Sequence, residues 1–202
     1  MSPRIASLLL LVLCLAAVPA LTQDDLYDNG PTNGTVDAWR INFGSTSNSF
    51  VLSTDSTLTE LNFAAWLFPG DVLEVVQVSI TSSEFGGTTY FNGMVDFTQS
   101  GCVRNQFGWN VCNEAGSLGT LNLSAGNYWL NLQQASAGNE DPVYWDENSG
   151  PSLASVDSIG TVPSESFTLL GSSRGTTPEP NSILLFGSGM LGLAGLLRDK
   201  LF

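Results

Sequence analysis

Between Leu21 and Thr177 the apolar residues recur with period two, in runs too short and too often broken for helices. Trp39, Ile41 and Phe43 alternate with Arg40 and Asn42. Phe50 and Leu52 alternate inside Ser49–Ser53, and Leu61 and Phe63 do so ahead of Trp66. Val76, Val78 and Ile80 share one face of the run Val72–Ile80. Phe91, Val95 and Phe97 form another set, with Gly93 placed to make a bulge. Leu121 and Leu123 follow, then Tyr128, Leu130 and Leu132, then Phe167 and Leu169. Successive side chains in a strand point to opposite faces, so each run describes a ribbon with one apolar face. No stretch of a dozen residues repeats at helical spacing. Turn formers separate the runs: Asn29-Gly30-Pro31, Asn33-Gly34, Pro69-Gly70-Asp71, Gly86-Gly87, Gly126-Asn127 and Gly150-Pro151. About eight such strands predict an all-β domain, an antiparallel β-sandwich of jelly-roll-like design.

Composition limits what this domain can do. The chain has 202 residues, enough for one domain with a proper core. Its 19 acidic residues outnumber 6 basic ones, for a net charge of −13. Phosphate binding needs clustered Lys and Arg, so nucleic acid is not an expected partner. Histidine is absent, which excludes Ser-His-Asp and Cys-His catalysis and any His-ligated metal. Between Leu21 and Thr177 the only basic residues are Arg40, Arg104 and Arg174.

The two ends read as addresses. Residues 1–20 have the form of a secretory signal peptide: Arg4, an apolar run from Ile5 to Val18, and Val18-Pro19-Ala20 before a cleavage after Ala20. A second apolar run, Ile183 to Leu197, ends at Arg198-Asp199-Lys200. It predicts a single transmembrane helix over 183–197, with Gly187, Gly189, Gly192 and Gly195 suited to close packing in lipid. Arg198 and Lys200 act as a cytoplasmic stop. The body is expected over 21–170, with a flexible small-residue linker over 171–177.

Pro178-Glu179-Pro180 stands immediately before that helix. This tripeptide, a short glycine-rich membrane helix and a basic terminus together resemble the PEP-CTERM sorting signal, over 178–202. The resemblance implies recognition by an exosortase after passage through the secretion machinery, with transient anchoring in the inner membrane. It further implies delivery to the cell surface or an extracellular matrix, such as that of a biofilm, in a Gram-negative-type bacterium. The body resembles secreted bacterial β-sandwich proteins with interchangeable C-terminal anchors, through Tyr27-Asp28-Asn29-Gly30-Pro31, Ser49 to Ser53 and Pro69-Gly70-Asp71. That resemblance carries no activity.

Few constellations in the body carry chemistry. Cys102 and Cys112 form an even pair in an exported domain and are expected as a structural disulfide. Asn139, Glu140 and Asp141, then Asp146, Glu147 and Asn148, flank Val143-Tyr144-Trp145. A solvated acidic surface is the favoured reading. Asp141, Asp146 and Glu147 are the alternative ligands for a structural Ca²⁺, which takes carboxylate and amide oxygens; no other cofactor is expected. Asp146 and Glu147 would point to opposite faces of a strand, which makes them a poor glycosidase pair. Trp109, Trp129, Tyr144 and Trp145 could stack on sugar rings, with Trp145 expected in an exposed acidic loop and Trp129 facing outward.

These observations predict a non-catalytic structural protein of the surface or matrix. The alternative is a carbohydrate-binding module for extracellular polysaccharide, and third comes a carboxylate-dependent glycoside hydrolase. An exposed row of aromatic faces beside polar groups would favour the second, and two carboxylates facing across a cleft the third.

Overall fold

A computed structural model of the chain describes residues 23–174. The expected signal peptide, the segment 178–202 and the helix 183–197 lie outside the described residues. Within them the chain forms thirteen antiparallel strands and no helix. These are β1 (Asp24–Asp28), β2 (Ala38–Arg40), β3 (Ser45–Leu52), β4 (Ser56–Leu67), β5 (Leu73–Ser83), β6 (Gly86–Arg104) and β7 (Asn110–Leu123). Then follow β8 (Gly126–Ala137), β9 (Tyr144–Asn148), β10 (Ala154–Val156), β11 (Gly160–Val162), β12 (Ser164–Glu165) and β13 (Phe167–Ser173).

Two layers result, and β6 belongs to both. Its first half pairs with β5 as far as Asp96, opposite Val75. From Phe97, opposite Gly116, it pairs with β7 instead. One layer runs β1-β13-β4-β7-β6 and the other β6-β5-β8-β3-β10-β11. β9 extends the first layer beside the end of β4, through Ala65↔Trp145 and Trp66↔Tyr144, and β2 pairs outside it. The layers meet through their apolar faces. Phe50 of β3 lies 6.4 Å from Phe167 of β13, and Phe63 of β4 meets Phe97 edge-on at 5.1 Å. Val76, Val78, Ile80, Leu130, Leu132, Phe167 and Leu169 are all buried here, on the faces that their alternation assigns them.

Three local expectations are corrected. Trp39, Ile41 and Phe43 do not form one face: β2 stops at Arg40, Ile41 is buried, and Phe43 is 77% exposed beyond the strand. Gly93 is no bulge, since it pairs in register with Val78; the irregularity falls at Ile80/Thr81, opposite Phe91 and Thr89. Nor do residues 171–173 begin a linker. Gly171, Ser172 and Ser173 continue β13 and pair with Leu58, Thr57 and Ser56. Gly171 permits this because a Cβ there would collide with the Thr57 carbonyl and Leu26.

Candidate ligand-binding groove

β4 shows how the site arises. Leu61, Phe63, Ala65 and Leu67 point into the core between the layers, and Ala64 and Trp66 point to the other face. On that outer face they join Val111 of β7, Ala38 of β2 and the half-buried Trp109 and Tyr144 in a second, smaller cluster. Four neighbouring strands, β7-β4-β9-β2, thus present aromatic and small apolar residues outward.

A strap, residues 29–37, crosses this outer face. Asp146 of β9 holds it: the Asp146 carboxylate accepts from the backbone N–H groups of Asn33 (2.7 Å) and Gly34 (2.8 Å), and from the Trp66 indole N–H (2.6 Å). Burial raises the Asp146 pKa above the ordinary carboxylate range, against the lowering effect of these three donors. Gly34 takes a left-handed φ of 67°, and a Cβ there would press on Val111 at 3.3 Å.

The β6–β7 turn forms the opposite wall. Asn105 organises it: its side-chain oxygen accepts from the N–H groups of Phe107 and Trp109, both at 3.0 Å. Its backbone N–H donates to the Trp109 carbonyl at 2.8 Å. The Cys102–Cys112 disulfide bridges the two strands below this turn, with Cα atoms 4.1 Å apart. Gln106 reaches across and donates to the Thr35 carbonyl of the strap at 3.0 Å.

Between strap and turn lies a cleft of about 340 Å³, lined by Val36, Asp37, Ala38, Trp66, Phe107, Trp109 and Tyr144. Phe107 stacks on Trp66 at 5.8 Å and Trp109 meets Tyr144 edge-on at 5.2 Å. Phe68 packs edge-on against Trp109 at 5.7 Å. The row continues past Tyr144: the Arg40 guanidinium lies 5.4 Å from its ring and 5.8 Å from that of Phe43. Arg40 also donates to the Tyr144 hydroxyl at 3.1 Å. Phe107 and Phe68 are 54% and 51% exposed, so these rings face solvent while Trp66 forms the buried floor. A larger cleft of about 470 Å³ lies beyond the strap and is lined mainly by polar residues, among them Asp28, Asn62, Asn113 and Thr168.

Of the expected sugar-stacking residues, Tyr144 and Trp109 come together here. Trp145 does not: it is 0% exposed, the largest fully buried side chain, packed against Phe63 and Phe167. Its indole N–H donates to the Ser166 carbonyl at 2.8 Å. The acidic stretch around it is strand β9 rather than an exposed loop, because its acids have buried partners. Trp129 is half-buried on β8, in the other layer, with Tyr128 and Leu130 turned into the core as alternation requires. Trp66, Phe107, Phe68 and Arg40 escaped the sequence reading. The alternation of Ala64 and Trp66 against Phe63, Ala65 and Leu67 was the signal for an outer apolar face.

The three Ca²⁺ candidates are not gathered. Asp146 faces the strap and Trp66, whereas Glu147 accepts from the Trp39 indole N–H at 2.9 Å. Asp141 lies before β9, half-buried. Among the described residues no group of three or more acidic or cysteine side chains is arranged to hold a metal ion.

Comparison with protein families matches residues 176–198 to the PEP-CTERM protein-sorting motif. Comparisons with curated proteins and with solved structures find no match. The motif assigns the chain to export, to transient membrane anchoring through its C-terminal signal, and to processing by an exosortase.

Proposed function

We infer that this exported, exosortase-sorted chain serves a non-catalytic role as a component of the cell surface or extracellular matrix. The observation that carries the reading is the sorting motif at 176–198, directly after an all-β body that ends in strand β13. Antiparallel sheets packed on a large apolar core suit prolonged display outside the cell, and a disulfide suits the oxidising compartment. Asp37 is the one carboxylate residue lining the aromatic cleft, whereas Asp28 and the buried Glu114 line the larger one. A second reading, that the body is a carbohydrate-binding module, is favoured by the exposed aromatic groove.

The sorting step is tested by Pro178→Ala combined with Pro180→Ala in a host that carries an exosortase. The variant is expected to accumulate as unprocessed precursor in the inner membrane. Processing and release equal to the unaltered chain would refute the reading.

A further inference from the structure

We propose that the aromatic groove between the strap and the β6–β7 turn is a binding site for neutral polysaccharide. The inference deepens the reading of a non-catalytic surface protein, on which it rests for where the ligand is met.

The groove has the two features that a sugar ring demands. Apolar C–H faces of a pyranose stack on flat aromatic rings, and its hydroxyls need donors and acceptors at the rim. Phe107, Trp109 and Tyr144 supply the rings. The Arg40 guanidinium, braced by Tyr144, supplies N–H donors, and the exposed Asp37 carboxylate supplies an acceptor. The turn that carries Phe107 and Trp109, and the Trp66 floor, are held by partners outside the groove. Asn105 fixes the backbone at Phe107 and Trp109, and Asp146 fixes the Trp66 indole beneath Phe107. Such preorganisation lowers the ordering cost of binding.

Charge selects the class of polysaccharide. Arg40 and Asp37 cancel at the groove, whereas the body carries seventeen carboxylates against three arginines. A polyanion approaching this surface is repelled, and a neutral polyol is not.

The last described strand ends far from the groove. Trp66 and Leu67 stand at the end of β4, whereas Ser173, the last residue of β13, pairs with Ser56 at its start. Eleven residues of extended strand separate these two ends by about 36 Å. β1 also leaves on the Ser56 side, with Asp24 opposite Gly171. The groove therefore opens at the end of the domain away from Ser173 and Asp24.

The test uses the full chain, purified in detergent with its disulfide formed. Soluble cellulose ether, β-1,3-glucan and galactomannan are titrated while tryptophan fluorescence is followed, with alginate as the polyanion. A saturable change is expected with at least one neutral polymer and none with alginate. Phe107→Ala and Trp109→Ala should each weaken binding about tenfold or more, as loss of a central aromatic anchor does. Trp129→Ala, on the other layer, should bind as the unaltered chain does. Near-UV circular dichroism checks that each variant keeps its packing, and the exposed Phe107 provides the variant least able to disturb it. Silence across all neutral polymers overturns the inference, as does binding that survives both groove substitutions or falls equally with Trp129→Ala. Preference for alginate overturns the neutral assignment. Self-association that Phe107→Ala abolishes, without sugar binding, would make the groove a contact between copies and overturn the inference also. A chain sorted normally that binds no sugar removes this inference and leaves the surface role intact. A chain that binds sugar but is not sorted does the reverse.

Discussion

Glu114 shows what a single residue can impose on this domain. It sits on β7 between Cys112 and Gly116, fully buried, and neither carboxylate oxygen has a hydrogen-bond partner. Burial raises its pKa from 4.5 to about 8. Glu165, opposite Glu147 on the β12–β9 pair, is raised well above its ordinary value, first by burial and then by Glu147, Asp146 and Asp37. A carboxyl raised in the folded state binds its proton more tightly there than in the unfolded chain. Its folded form is thus favoured below pH 4.5, and stability falls as pH climbs towards the folded pKa. For Glu114 the interval from 4.5 to about 8 corresponds to at most roughly 5 kcal/mol. Denaturant unfolding should show a more stable domain at pH 5 than at pH 8. Glu114→Leu should raise stability at pH 8 by several kcal/mol and by less at pH 5; an equal gain at both would refute the assignment. Asp146→Ala makes the opposite prediction. It strips the acceptor from two strap amides and the Trp66 indole, and should cost about 3 kcal/mol or more by the same measurement. The parity of Glu114 with Cys112 and Leu118 was visible in the chain. Its burial was not, since a charged residue in a strand is ordinarily taken to face water. Trp145 misleads in the reverse sense: its acidic neighbours read as a solvated loop, yet Trp66, Trp39 and the strap satisfy them.

Among the elements, the β6–β7 hairpin carries the most consequence. β6 crosses from one layer to the other, and its end is tied to β7 by Cys102–Cys112 before Asn105 turns the chain. Replacing both cysteines by serine should lower stability by roughly 3 kcal/mol in the chain-entropy account. It should also free the turn, so that Trp109 fluorescence shifts towards that of exposed indole well below the main unfolding transition. Coincident transitions would show that Asn105 holds the turn without the disulfide. The long hairpin strands were legible in part, through Val76 to Ile80 of β5, Phe91 to Phe97 of β6 and Tyr128 to Leu132 of β8, whereas of β7 only Leu121 and Leu123 stood out. β2, β9, β10, β11 and β12 have two to five residues each. Such elements show too few alternations to read, and long-range pairing makes them: β9 gathers β2, β4 and β12 around it. The groove depends on these short strands, so Trp109 and Tyr144 could be picked out in the chain while their convergence with Trp66 and Phe107 could not.

At the scale of the whole molecule, both ends of the described chain leave the domain on one side and the groove opens on the other. β13 closes that first side by lying between β1 and β4. Gly171 makes the close approach possible, and Gly171→Ala should split the β1-β13-β4 seam, seen as early hydrogen exchange in β1 and β13. The C-terminal sorting signal was the most legible part of the chain, since it is written in contiguous residues and needs no folding to be read. The account rests on the sorting motif, and one measurement bears on it directly. An epitope inserted after Ala20 and another at the C-terminus report the two ends of the chain in strains with and without an exosortase. With the enzyme, the C-terminal epitope should be lost and the other recovered at the cell surface or in the medium. Without it, both should remain on one full-length species in the inner membrane. Identical fates in the two strains would contradict the account.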